Sequence, residues 1–315
     1  MSIENSKEVT FQDFGIAEVI LRAISEQGYT QPTPIQAQAI PHVLQGQDVM
    51  GAAQTGTGKT AAFVLPILQN ILPHANSSAS PARHPIRALV LAPTRELADQ
   101  VADNAQRYAK YTDLRTAVVF GGVDMQPQTM QLRSGVELLI ATPGRLLDHI
   151  GQKTVSLSQV QILVLDEADR MLDMGFLPDL QRIIALIPKE RQTLLFSATF
   201  SPEIKKLAQS YLRSPVTVEV ARQNAAADTV TQVVHKVPSE KKREALVNIL
   251  RARAARGLSK QCIVFTNSRL GCSKLASSLE RSQIKAGAIH GDKSQIERMQ
   301  ILEAFKQGQI DVLVA

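Results

Sequence analysis

Short apolar runs rich in Val, Ile and Leu recur along this chain at 48–50, 88–92, 117–120, 138–141, 162–165, 193–196 and 216–220. Amphipathic stretches at 18–26, 60–72, 96–110 and 177–186 lie between them. Runs this short, bounded by turn residues, read as buried strands, and the longer stretches read as helices. Strands that alternate with helices predict an α/β fold, with a parallel sheet covered by helices on both faces. The pattern restarts after residue 228, with strands expected at 230–237, 261–265, 286–289 and 310–315 and helices at 241–256, 271–281 and 295–306. A second α/β domain has begun there.

Length agrees with this division, since 315 residues make about two domains at ~150 residues each. No apolar run approaches the ~18 residues of a membrane-spanning helix. The polar segment 1–9 lacks the apolar core of a secretory signal, so a cytoplasmic protein with no membrane partner is expected. Cys262 and Cys272 have no metal-ligand spacing and read as ordinary thiols. Charge is unevenly spread: residues 1–224 carry 20 Lys+Arg and 21 Asp+Glu, and residues 225–315 carry 15 and 8. A polyanion partner would explain the excess in the second part, and so would a solvated basic face. The polar segment 76–81 reads as a mobile loop inside the first domain.

Two segments carry chemistry. The stretch Ala53-Gln54-Thr55-Gly56-Thr57-Gly58-Lys59-Thr60 follows one apolar run and precedes a helix-forming run. Glycines at 56 and 58 let backbone wrap around phosphates at the positive end of the following helix. Lys59 would then reach the β and γ phosphates, and Thr60 would give its hydroxyl to Mg²⁺. A strict phosphate-loop pattern has glycine at the position of Ala53, so the match is incomplete there. The second segment, Asp166-Glu167-Ala168-Asp169, ends the run 162–165. Asp166 would hold Mg²⁺, partly through water, and Glu167 would orient or deprotonate the attacking water.

From these segments onward the chain resembles the DEAD-box RNA helicases, over nearly every residue from 11 to 315 and with several motifs in family order. The resemblance implies two RecA-like domains: a flexible N-terminus at 1–10, an ATP-binding domain at 11–220, a linker at 221–228 and a helicase C-terminal domain at 229–315. The segment 28–36 resembles the family's Q motif, which implies that Gln36 reads the adenine edge while Phe11 or Tyr29 stacks on the ring. Ser197-Ala198-Thr199 resembles the motif that couples hydrolysis to unwinding through the acidic tetrad, so Asp169, Ser197 and Thr199 are expected to interact.

RNA contacts are implied for Pro93-Thr94-Arg95, Gly121-Gly122 and Thr142-Pro143-Gly144-Arg145, and in the second domain for Asn267, Arg269, Gln295 and Arg298. Each of the first three follows an apolar run, where loops offer N–H, hydroxyl and guanidinium groups to phosphates. Only 4% of residues are aromatic, which argues against a platform for stacked bases and favours backbone recognition. The segment 174–179 and the linker look closest to the bacterial RhlE-like branch.

The resemblance also sets an expectation for the end of the chain. After 310–315 the family continues with a Thr-Asp motif and an arginine-rich motif that stabilises the transferring phosphoryl group, so the second domain is expected to be incomplete and residues 1–315 poorly active alone. Two rivals stand beside this reading: another phosphate-loop NTPase, and a non-catalytic ATP- and RNA-binding scaffold. The absence of an Asn-Lys-x-Asp guanine signature and the presence of the Q motif weigh against the first.

Overall fold

A computed structural model describes residues 9–53, 56–220, 231–258 and 261–315. The chain divides into two compact units, Met1–Ala225 and Ala226–Ala315. The expected linker at 221–228 lies outside the described residues.

In chain order the first unit contains α1 (Glu18–Ser25), α2 (Pro34–Leu44), β1 (Val49–Ala52), α3 (Lys59–Ile71), β2 (Ala88–Leu91), α4 (Arg95–Tyr108), β3 (Thr116–Val119) and α5 (Met125–Arg133). It continues with β4 (Leu138–Ala141), α6 (Pro143–Gly151), β5 (Ile162–Leu165), α7 (Ala168–Asp173), α8 (Leu177–Ile184), β6 (Gln192–Ser197), α9 (Pro202–Tyr211) and β7 (Val216–Glu219). The strands form one parallel sheet in the order β3-β4-β2-β5-β6-β1-β7. Strands β2, β4, β5 and β6 are buried at every position. That explains why they read as continuous apolar runs and not as alternating ones: helices cover both faces.

Burial dominates the energetics of this unit. Leu163, Val164 and Leu165 are each fully buried, and a side chain of this size contributes about 1.5–3 kcal/mol when withdrawn from water. Polar residues inside the sheet are paired. Asp48, just before β1, accepts from the backbone N of Thr193 at 2.7 Å and of Arg213 at 2.6 Å. Gln192 donates to the carbonyls of Val43 and Gln47 at 3.0 and 2.7 Å.

Residues 76–80 form the loop expected there, and Pro81 opens a short 3-10 turn. Ser78 O accepts from Arg115 Nη2 at 2.7 Å and faces His84 Nε2 at 2.8 Å, while His84 Nδ1 meets the Glu137 carboxylate. The loop is therefore fastened to the amino ends of β2, β3 and β4.

The second unit holds β8 (Cys262–Val264), β9 (Ala286–Ala288) and β10 (Val312–Val314), parallel in the order β8-β10-β9. Helices Lys242–Ala255, Arg269–Arg281 and Gln295–Lys306 accompany them. The core here is small, built on Leu250, Cys272, Ala276, Leu279, Ala286, Val312 and Val314. The strand expected at 230–237 is corrected: residues 231–237 have no regular structure, and 231–236 are exposed. An alternating apolar stretch becomes a strand only when a neighbour takes its N–H and C=O groups, and β8 and β9 are the outer strands of this sheet.

Among the described residues no helix is long and apolar enough to cross a membrane.

Candidate functional site

Parallel pairing puts the carboxyl ends of all strands of the first unit along one edge, so every loop that follows a strand lies there. Sheet order then sorts the loops into two groups. The glycine-rich loop, the acidic tetrad and Ser197-Ala198-Thr199 follow β1, β5 and β6, which are adjacent. The loops at 93–95, 121–122 and 142–145 follow β2, β3 and β4, also adjacent. The border runs between β2 and β5, where Asp166 N donates to Leu91 O at 3.0 Å.

In the first group, Ala53 N donates to Ser197 O at 3.1 Å. Gly56 and Gly58 have φ of 86° and 91°, in the left-handed region that glycine enters without strain. Gln54 and Thr55 lie outside the described residues. Thr57 is half-buried, Lys59 opens α3, and Thr60 follows it. The backbone N–H groups of that first turn have no partner within the helix, as an anion site requires.

Lys59 Nζ lies 3.7 Å from Asp166 Oδ1. Asp166 is 2% exposed, and burial pushes its carboxyl up to about 6, with Lys59 pulling the other way and Glu167 adding to the rise. Desolvation outweighs the lysine. A buried carboxylate beside the phosphate loop is a fitting ligand for a hard divalent cation, and Thr60 adds a hydroxyl oxygen of the same preference. Among the described residues no group of three or more His, Cys, Asp and Glu could hold a metal by itself. A cation carried in on phosphates, with few protein ligands, matches that donor set.

Glu167 takes φ 50° at the start of α7, a left-handed conformation that is costly for a residue other than glycine. Its N–H donates to Asp166 Oδ1 at 3.0 Å. Two residues on, Asp169 Oδ2 accepts from Ala198 N at 3.2 Å and from Thr199 Oγ1 at 3.3 Å. Ser197 Oγ donates to Thr199 O at 2.7 Å. The tetrad and the tripeptide are thus directly joined. The cap of α9 is Ser201, whose Oγ accepts from Ile204 N.

The residues expected to read adenine are packed and hydrogen-bonded within the first unit. Phe11 is 2% exposed and packs edge-on against Phe14 and Tyr29 at centroid separations of 6.2 and 6.1 Å. Half-buried Tyr29 shares a 2.6 Å hydrogen bond with Tyr108 Oη. Gln36 is also 2% exposed; its Oε1 accepts from Thr33 N at 2.9 Å and its Nε2 donates to Gly58 O at 3.1 Å. The amide fixes the phosphate loop with one donor and one acceptor, which leaves one of each.

In the second group, the three loops hold one another. Arg95 lies over Gly121 and Gly122 so closely that a Cβ at Gly122 would come 2.0 Å from Nη1. Arg145 Nη1 and Nη2 donate to Val123 O at 3.2 and 3.1 Å, and its side chain is 11% exposed. Arg145 therefore braces the glycine turn. Thr94 Oγ1 caps α4 by accepting from Leu97 N, Pro93 and Thr142 are buried, Pro143 opens α6, and Gly144 is exposed.

In the second unit, Asn267 is exposed just past β8, and Arg269 Nη1 donates to Asp292 Oδ1 at 2.7 Å. Gln295, 3% exposed, accepts from Arg298 Nη2. These four residues fall into two pairings of sequence, one around β8 and one at the start of Gln295–Lys306. Sequence reasoning missed one residue of the first unit, Gln128 on α5, which bonds to Phe120 next to the glycine turn. The helix has too few apolar positions to be seen by periodicity.

Two family models match the chain: DEAD/DEAH box helicase over residues 33–207 and helicase conserved C-terminal domain over residues 241–315. It is similar to the DEAD-box ATP-dependent RNA helicase RhpA of Helicobacter pylori, 41% identical over 306 residues that cover 97% of this chain and 60% of the relative. It is similar as well to the DEAD-box ATP-dependent RNA helicase CshA of Bacillus cereus, 38% identical over 306 residues covering 97% and 56%. The chain thus spans about three-fifths of the length of these curated relatives. Among solved structures, a DEAD box protein from the hyperthermophile Methanococcus jannaschii matches with TM-score 0.62 and 36% identity, over 97% of this chain and 79% of that one.

Proposed function

Because this chain belongs to the DEAD/DEAH-box helicase family, we propose that it forms the core of an RNA helicase coupling the binding and hydrolysis of ATP to local separation of RNA duplexes. One observation carries the reading: a buried Lys59–Asp166 contact stands beside Asp169, whose carboxylate is bonded to the loop after β6. The first element suits a nucleotide triphosphate. The second gives that site a mechanical connection.

In this reading the N–H groups of Gly58 to Thr60 cradle phosphates and Lys59 neutralises their charge. Thr60 and Asp166 hold Mg²⁺, which supplies charge stabilisation at the transferring phosphoryl group. Glu167, on its strained backbone, orients the water and accepts its proton. Asp169, Ser197 and Thr199 carry the change of state to the rest of the unit. The loops after β2, β3 and β4 offer backbone N–H groups and Arg95 to RNA phosphates, so the grip is independent of sequence. In the second unit, Asn267, Arg269, Gln295 and Arg298 are the residues that would meet RNA.

A cytoplasmic setting and the RhlE-like branch belong to the same proposal, the branch supported by residues 174–179.

Phosphate release with and without single-stranded RNA tests the reading. RNA should stimulate release by wild type, and Lys59→Ala and Glu167→Gln should both abolish the stimulation, with Glu167→Gln still binding nucleotide. Equal rates for wild type and Glu167→Gln would contradict it.

A further inference from the structure

We propose that Gln128 is a positioning residue for the RNA-facing turn at Gly121–Gly122, serving the end of β3 in place of a neighbouring strand. The inference rests on the reading above that this turn meets RNA.

Strand β3 is the outermost of its sheet, with β4 on one side only. Val119 O accepts from Thr142 N at 3.0 Å on that inner side. Because successive residues of a strand direct their backbone groups to opposite sides, those of Thr116 and Phe120 face the free edge. Such an edge needs a partner from elsewhere in the fold.

Helix α5 supplies it. Gln128 Oε1 accepts from Phe120 N at 3.0 Å, and Nε2 donates to Phe120 O at 3.2 Å and to Asp124 O at 3.0 Å. A side-chain amide carries the same donor and acceptor as a peptide group, so it completes one rung of a ladder. Both Nε2 hydrogens are used, and only this orientation of the amide satisfies all three partners. One turn along the helix, Gln131 Nε2 donates to Thr116 O at 3.2 Å, which marks the whole helix face as a seal for the edge.

The bonds of Gln128 complete a set of ties around the turn. Gly122 lies beneath Arg95, and Val123 O is held by Arg145. Gln128 secures the residues on either side, Phe120 and Asp124. At 8% exposure Gln128 is withdrawn from any bound strand and acts only through the backbone it holds.

Two substitutions test the role on the full chain. Gln128→Met keeps the volume and removes every hydrogen bond. It should speed hydrogen exchange at the Phe120 amide and weaken binding of a labelled single-stranded oligouridine about tenfold, with Mg-ADP affinity kept within about twofold. Gln128→Glu adds a pH signature. Its protonated carboxyl again offers an acceptor to Phe120 N and a donor to Phe120 O, whereas the ionised form loses the donor and meets Asp124 on the same turn. Its RNA affinity, taken as a ratio to wild type at each pH, should recover on acidification.

Unchanged exchange at Phe120 in Gln128→Met, or a ratio for Gln128→Glu that is flat with pH, would overturn the proposal. Faster exchange with wild-type RNA affinity would overturn this role alone. Wild type that bound nucleotide but no RNA would remove the underlying reading, and this role with it. If Gln128→Met does not fold, the pH ratio of Gln128→Glu decides.

Discussion

The ammonium of Lys59 lies 3.7 Å from Oδ1 of Asp166, with the two side chains 8% and 2% exposed. These residues are 107 apart in sequence, and their strands β1 and β5 are separated only by β6. The contact is too long for a strong hydrogen bond, and burial keeps the carboxyl protonated to higher pH than usual despite the lysine. The site is therefore electrostatically unfinished without a ligand. A cation on a bound nucleotide would complete it.

Stability of the nucleotide-free chain should show this as a pH dependence. The carboxyl of Asp166 moves from 3.8 to about 6 on folding. A raised value means that the favourable contribution of the protonated form is complete below the unfolded value and is lost as pH rises through about 6. The shift corresponds to about 3 kcal/mol. Urea unfolding of wild type and Asp166→Asn between pH 4 and 7 should show the wild type losing ground to the variant as pH rises. A constant difference would count against a buried, raised Asp166.

Adjacent glycines should respond differently to alanine. Gly122 has φ 79°, and a Cβ there would displace Arg95, whereas the nearest atom to a Cβ at Gly121 is Arg95 Nη2 at 3.6 Å. Gly122→Ala should cost about 1–3 kcal/mol and weaken RNA binding. Gly121→Ala should stay within about 0.5 kcal/mol. Parallel unfolding and RNA titrations check both, and equal effects at the two positions would contradict the clasp.

Loss of the Asp169 carboxylate should separate binding from turnover. Asp169→Ala removes the acceptor for Ala198 N and Thr199 Oγ1 together, and Thr199→Ala removes one of the two bonds. Nucleotide affinity should change less than about twofold in each, while RNA-stimulated turnover falls about tenfold in Asp169→Ala and less in Thr199→Ala. Calorimetry and phosphate release on the same samples decide it.

Far from the nucleotide, Glu137 should matter for stability alone. It is fully buried, its carboxylate meets His84 Nδ1, and Oε2 accepts from Arg115 N at 2.8 Å. Glu137→Ala leaves the buried His84 ring nitrogen and the part-buried Arg115 N–H without this partner and should cost about 3–5 kcal/mol. Chemical denaturation measures the loss, and an unchanged Mg-ADP affinity confirms that the amino-end edge is remote from the site.

The alternation of apolar runs and helices was enough to read the parallel sheet, because strands buried on both faces announce themselves as continuous Val, Ile and Leu. The meeting of Lys59 with Asp166 followed from motif order. Other features had no such signal. The segment that becomes α5 buries only Gln128 and Leu132, so its helical pattern is faint, yet its glutamines seal an edge that sequence does not reveal. Phe11 and Gln36 stand out by motif, while the contacts that hold them, with Tyr29 and Gly58, are tertiary. The strand expected at 230–237 failed because 231–237, strand-like in composition, has no neighbour to pair with among the described residues.

The most direct test is calorimetric titration of the 315-residue chain with ADP and Mg²⁺, repeated for Lys59→Ala and Asp166→Asn. Wild type should bind with one site per chain, Lys59→Ala should lose at least about tenfold in affinity, and Asp166→Asn should lose the dependence on Mg²⁺. Failure of wild type to bind, or wild-type affinity and Mg²⁺ dependence in both variants, would contradict a nucleotide site built on the Lys59–Asp166 contact.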